Sequence, residues 1–192
     1  MAQATTRDTA TAILDTAERL VQQRGFNGFS YADVAAELGV TKAGLHYHFP
    51  GKAELGEALM TRYAERFAAA LAEIDERESS APAKLRAYAA LYGDVLNARR
   101  MCLCGMLAAE YETLPPGMQR VVVAFLDANE RWLARVLESG RRERSLSFDQ
   151  PPADAARLIV SALEGAMLVA RPFADAGRFE AAADGLLKSL ER

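Results

Sequence analysis

The side chains in this 192-residue chain that could do chemistry are few. Its two histidines, His46 and His48, are separated by one residue, and so are its two cysteines, Cys102 and Cys104. Residues two apart do not share a helix face, so the histidines do not make a metal-chelating pair. A Cys-x-Cys pair closes a disulfide poorly because the bridge geometry is demanding, and reduced thiols are the expectation. No second cysteine pair or neighbouring histidine completes a metal site. Glycine-rich phosphate loops, nucleophile elbows and H-E-x-x-H are all missing from the sequence. It predicts no enzyme, no metal and no cofactor.

What these residues can do is bind. Around the histidines stand Thr41, Lys42, Gly44 and Tyr47, a set of hydrogen-bond donors and aromatics rather than the Glu/Lys mixture of a merely solvated face. Thr41 can offer its hydroxyl to a phosphate, helped by the positive end of a helix. Lys42 can reach a guanine edge or a phosphate. Gly44 lets a helix backbone sit close to a groove floor, and His46 is the most distinctive candidate for a base contact. Ser30 and Tyr31 are placed to meet phosphate as well. At residues 6 and 7, Thr6 and Arg7 could touch the nucleic-acid backbone or simply be solvated.

These side chains need a rigid support, and the spacing supplies one. Ser30 with Asp33 is close to a capping box, and Val34, Ala35 and Leu38 form an apolar face at helical spacing. Gly39 stands where the chain leaves that helix, Val40 plugs the turn and Thr41 caps a second helix. In the second helix Leu45 and Phe49 point inward, and Pro50-Gly51 ends it. Helix, glycine turn and a capped short helix with a polar outer face are the layout of a DNA-binding helix-turn-helix. A plain helical hairpin in a bundle shares the outline but not the small Ala35 at the crossing or the donor-rich outer face.

The run from Gly39 through Val40, Thr41, Lys42, Ala43, Gly44, Leu45, His46, Tyr47, His48, Phe49, Pro50, Gly51, Lys52, Ala53 and Glu54 to Leu55 resembles the signature of the TetR family of transcriptional repressors. In that family a glycine turn leads into a short recognition helix ending in Tyr-His-Phe, followed by Lys-x-x-Leu. The resemblance is close over residues 1–55; the remainder is similar in length and helical pattern. It implies backbone contacts from Tyr47 and His48 and a phosphate-binding position at Lys52. It also implies a homodimer on a double-stranded operator, released by a small-molecule inducer.

Net charge does not help. Residues 1–55 carry five basic side chains (Arg7, Arg19, Arg24, Lys42, Lys52) against six acidic ones (Asp8, Asp15, Glu18, Asp33, Glu37, Glu54). A domain holding DNA by bulk charge would be more basic, so binding must rest on local donors and on dimerisation.

The rest of the chain reads as helix throughout: alanine and leucine are plentiful, β-branched residues sparse. The expected fold is all-α, with a three-helix helix-turn-helix unit over residues 1–51 and a larger helical bundle over 52–192 that binds ligand and dimerises. Helices are predicted over residues 6–24, 52–78, 83–100, 106–111, 118–142, 153–171 and 179–190. No apolar run reaches the roughly 18 residues of a membrane span, and no signal-peptide order opens the chain, so a cytoplasmic protein is expected. Residues 153–171 are apolar over most of the circumference, and such a helix must be covered on more than one side. A second copy is the expected cover, with Ser161 and Gly165 allowing close approach and Leu168, Phe179, Leu186 and Leu190 adding apolar surface; a purely internal core helix is the alternative.

An inducer pocket would draw on Tyr88, Tyr92, Met106, Tyr111, Phe125, Trp132 and Met167, and on Cys102 and Cys104. The inducer is expected to be hydrophobic or electrophilic. Two readings of the cysteines stay open: thiols whose modification releases DNA, with Arg99 and Arg100 lowering a thiol pKa, or buried small hydrophobes. The stretch around them also resembles a TetR branch of cysteine-based electrophile sensors. From another class, a helical adaptor that binds no DNA is the competing expectation.

Overall fold

Strong helix formers punctuated by glycine and proline give nine α-helices among the described residues: α1 (Ala2–Arg24), α2 (Tyr31–Leu38), α3 (Lys42–His48), α4 (Lys52–Arg77), α5 (Ala81–Asn97), α6 (Leu103–Ala109), α7 (Pro116–Arg142), α8 (Pro152–Ala170) and α9 (Ala176–Lys188). Short 3₁₀ turns follow α6 and α8, at Tyr111–Thr113 and Arg171–Phe173. The computed structural model describes the backbone of residues 2–191 and the side chains of residues 9–191. The side chains of Thr6 and Arg7 therefore lie outside the described residues.

Prolines open the helices rather than interrupt them. Pro116 and Pro152 are first residues of α7 and α8, and Pro82 sits in the first turn of α5 behind the N-cap Ser80. A proline there loses no hydrogen bond, because first-turn amides have no intrahelical partner. That is why α5 and α7 begin two residues earlier than the apolar pattern predicts. At its other end α5 stops at Asn97 instead of residue 100. Arg99 N–H bonds Leu96 O at 2.8 Å and Arg100 N–H bonds Val95 O at 3.0 Å, with Arg99 at φ +56°, the two-bond termination normally built on glycine.

The backbone gathers into two compact units. One contains Met1–Glu65 and Leu103–Val123, the other Arg66–Cys102 and Ala124–Arg192. In the first, α1 packs on α2 and on α6, and α2 on α3. Ile13, Ala17, Leu20 and Val21 of α1, Val34 of α2, Leu45 of α3 and Leu55 and Leu59 of α4 are buried there. Each such valine, leucine or isoleucine contributes about 1.5–3 kcal/mol of burial. In the second unit α9 packs on α8 and α5. On α8, Ile159, Val160, Leu163 and Met167 face inward, while Leu158, Leu168 and Val169 on the other face are exposed, the last two at 62 %. No helix among the described residues is long and apolar enough to cross a membrane.

Candidate nucleic-acid interface

Helix α3 is held by caps at both ends. Thr41 Oγ1 accepts from Gly44 N at 3.1 Å at its start, and Phe49 N donates to Leu45 O at 2.8 Å at its end. Gly39, at φ +66°, makes the turn that no residue with a Cβ adopts cheaply. Behind it, the Ser30–Asp33 capping box caps the start of α2: Ser30 N donates to Asp33 Oδ2 at 2.7 Å and Asp33 N to Ser30 Oγ at 3.4 Å. The serine hydroxyl, followed by the backbone amide, pulls the Asp33 carboxyl below its usual range.

Anchored by Leu45, fully buried, α3 turns the rest of itself outward. Thr41, Lys42, His46 and Tyr47 are exposed, Tyr47 at 79 %, and its ring lies edge-on to His48 with centroids 5.2 Å apart. A Cβ at Gly44 would meet only the Thr41 hydroxyl, at an ordinary 3.5 Å, so internal packing does not require glycine there. His46 Nδ1 lies 2.9 Å from the carbonyl of Pro50. A carbonyl only accepts, so Nδ1 is the donor in this contact.

Two predicted phosphate ligands have their polar ends engaged inside the unit. The Tyr31 hydroxyl lies 2.9 Å from Phe49 O and 2.7 Å from Gly51 O, bracing the end of α3 and the turn beyond it. Burial, then the nearby Glu54, pushes its pKa up to about 12. Lys52 Nζ donates to Phe29 O at 2.6 Å and sits over the rings of Phe26 and Phe29, at 4.7 and 4.5 Å from their centroids. Its pKa is lowered by burial, against the opposing pull of Glu110 and Asp33.

Glu110 is a residue that sequence reasoning missed. From the end of α6 its Oε2 accepts from Phe26 N at 2.6 Å and its Oε1 from Asn27 N at 3.3 Å, and Asn27 Nδ2 donates to Thr113 Oγ1 at 2.8 Å. The carboxylate fills the space a Cβ would take at Gly25, whose φ is +86°. No local pattern marks this, since the partners are more than eighty residues apart.

Of the predicted pocket residues, the second unit brings Tyr88, Tyr92, Phe125 and Trp132 together. Phe67 meets Tyr88, Tyr92 and Phe125 edge-on, and Trp132 stacks on Tyr88 at 5.6 Å. Tyr88 OH lies 3.0 Å from Tyr92 OH and donates to Asn129 Oδ1 at 3.1 Å. Met167 is buried on α8, and Cys102, also buried, lies beside Tyr92 and Glu164. Cys104, Met106 and Tyr111 belong to the first unit. Burial, then Cys102, pushes the carboxyl of Glu164 on α8 up to about 10. Among the predicted contact residues on α8, on α9 and just beyond it, Ser161, Gly165 and Leu168 are exposed and Leu186 half-buried, whereas Phe179 and Leu190 are buried within the chain itself.

Residues 13–59 match the family profile described as "Bacterial regulatory proteins, tetR family", and residues 81–186 match "Tetracyclin repressor-like, C-terminal domain". The chain belongs to the TetR family. This TetR-family chain is 27 % identical over 174 residues to the HTH-type transcriptional repressor NemR of Escherichia coli K12, covering 87 % of the chain and 86 % of NemR. Its fold superposes on a TetR-family transcriptional regulator from Agrobacterium tumefaciens with a TM-score of 0.94 at 31 % identity, covering 97 % of this chain and 100 % of that one. The reduced form of E. coli NemR gives a TM-score of 0.81 at 26 % identity, over 95 % and 97 % of the two chains. The TetR-family fold is that of a DNA-binding, ligand-responsive regulator and not of an enzyme, as the helix-turn-helix pattern and the missing catalytic motifs predict.

Proposed function

We propose that the protein acts as a homodimeric repressor, seating α3 of each protomer in the major groove of a pseudo-palindromic operator until a small molecule releases it. The observation that carries this reading is the outer face of α3, where a largely exposed tyrosine stands among polar donors and a glycine that packing does not require. Thr41 and Lys42 meet phosphate or a guanine edge, and Gly44 permits close approach. His46, exposed on this face, meets a base edge. Tyr47 and His48 meet the DNA backbone. Ser30, Tyr31 and Lys52 serve first to hold α2, α3 and the following turn in place, with phosphate contact a secondary role.

The DNA-binding part is assigned to residues 1–51, and ligand binding and dimerisation to 52–192. The exposed face of α8, with Leu158, Ser161, Gly165, Leu168 and Val169, is the surface we assign to the second copy, joined by Leu186 of α9. The aromatic group of Tyr88, Tyr92, Phe125 and Trp132 is the inducer site. Titrating the protein into DNA from upstream of its own gene tests the reading. A sequence-specific, salt-sensitive shift with dimer stoichiometry is expected, and its absence would sink the repressor assignment.

A second reading, release by thiol modification, draws support from the similarity to NemR, which has a structure described as a reduced form. Neither cysteine is joined in a disulfide and both are buried, at 2 % exposure for Cys102 and none for Cys104, so an electrophile would need an opening motion to reach them. Cys102→Ser, Cys104→Ser and the double variant are compared with the parent under a maleimide. Release that persists unchanged in all three removes this reading.

A further inference from the structure

In the second unit a cavity of about 380 Å³ opens where the end of α5, the end of α8 and the start of α9 meet. Its floor is apolar, from buried Leu96 and Ala170. Its lining includes three arginines, Arg99, Arg100 and Arg171, against one acidic residue, Asp175. That carboxylate is occupied elsewhere: Oδ1 accepts from Gly177 N at 3.0 Å, capping α9, and Oδ2 lies 3.6 Å from Arg178 Nε. The lining is therefore richer in basic than in acidic residues, over an apolar base.

The backbone points to the same place. Arg99 at φ +56° and Ala174 at φ +49° both line this cavity, and both hold the left-handed conformation without being glycine. At Arg99 the helix termination asks for glycine. An arginine there is the costlier residue for the backbone, so its side chain is what the position supplies.

We infer that this cavity is a binding site for a small monocarboxylate with a short apolar body. Guanidinium groups pair with carboxylates in two-pronged fashion, and Leu96 with Ala170 would cover a few methylene groups. The size suits a small ligand. From Arg99 the chain runs through Met101 and Cys102 to Leu103, where it passes from the second unit into the first. A ligand gripping Arg99 and Arg100 thus acts on that join. This effector role rests on the ligand-released repressor reading; the binding itself does not.

Calorimetric titration of the full-length protein with butyrate, at fixed ionic strength and without DNA, tests the site. Saturable binding is expected, weakened about tenfold or more in Arg99→Gly/Arg171→Gln. Glycine at 99 suits the positive φ, so that variant keeps the backbone, and its thermal midpoint checks that it is folded. Butylamine, with the same body and the opposite charge, is expected not to bind. No saturable heat with butyrate, or binding unchanged in the folded double variant, overturns the proposal. In a second arm, butyrate is expected to weaken operator binding about fivefold or more in the parent and not in the variant. Binding without that weakening overturns the effector role and leaves the site. A protein that binds no operator sinks the repressor reading, while the DNA-free titration still decides the cavity.

Discussion

Gly44 stands on the outer face of α3 with room for a side chain that it does not have. Alanine is the better helix former, so Gly44→Ala is expected to stabilise the free protein by about 0.5–1 kcal/mol. The added methyl stands where the helix is proposed to approach DNA, so operator affinity is expected to fall. Chemical denaturation and fluorescence anisotropy should move in opposite directions, and a variant that loses stability would count against the account. Glu164 makes a prediction in pH. Its carboxyl is raised from 4.5 to about 10 by burial, so between those values the folded protein holds a proton that the unfolded chain has released. Stability from this group is complete at acid pH and is lost as pH rises toward 10, by up to about 1.4 kcal/mol per unit. Glu164→Gln stays neutral throughout, so its denaturation midpoint relative to the parent should rise steadily from pH 6 to pH 8.5. A constant difference would mean that Glu164 is ionised in the fold.

The helices were readable because their boundaries are local. Caps at Ser30 and Thr41 and the glycine turn at Gly39 are short-range devices, and the structure reproduces them. The ends of α5 and α6 were not readable in the same way. Arg99 terminates α5 in a conformation normally signalled by glycine, so the pattern ran on to residue 100. The segment after α6 was also opaque, because what places it is the long-range acceptor Glu110. Glu110→Ala would leave the Phe26 and Asn27 amides without that acceptor, at a cost of about 1–3 kcal/mol. Thr113→Ala should cost less, since Asn27 Nδ2 is exposed and can turn to water. Hydrogen exchange at Phe26 and Asn27 is the direct measurement: faster exchange in Glu110→Ala is expected, and unchanged protection would mean that the carboxylate is not their partner in solution.

At the scale of the whole molecule, a slightly acidic N-terminal part with one seven-residue recognition helix offers little DNA affinity alone. Doubling the contacts is what the proposed dimer would contribute. Leu168→Glu places a charge in the centre of the exposed apolar face of α8 while leaving the inward-facing residues of that helix untouched. Sedimentation is expected to show a folded monomer, and operator affinity should drop well below the parent's. A Leu168→Glu protein that remains dimeric would move the interface off this face.

The sequence by itself determined the helix-turn-helix, the outward set of Thr41, Lys42, Gly44, His46 and Tyr47, and the family, because each depends on residues within a turn or two of one another. Tertiary structure alone decided which polar groups are spent internally. Tyr31 and Lys52 read as exposed ligands in the sequence, yet their donors close on the carbonyls of Phe49, Gly51 and Phe29. It also decided that Phe179 and Leu190 face their own core, that a carboxyl oxygen of half-buried Glu164 is enclosed beside Cys102, and that Glu110 serves the turn after α1. Such pairings join residues far apart in the chain, and a buried donor or carboxyl takes whatever partner the packed interior brings to it.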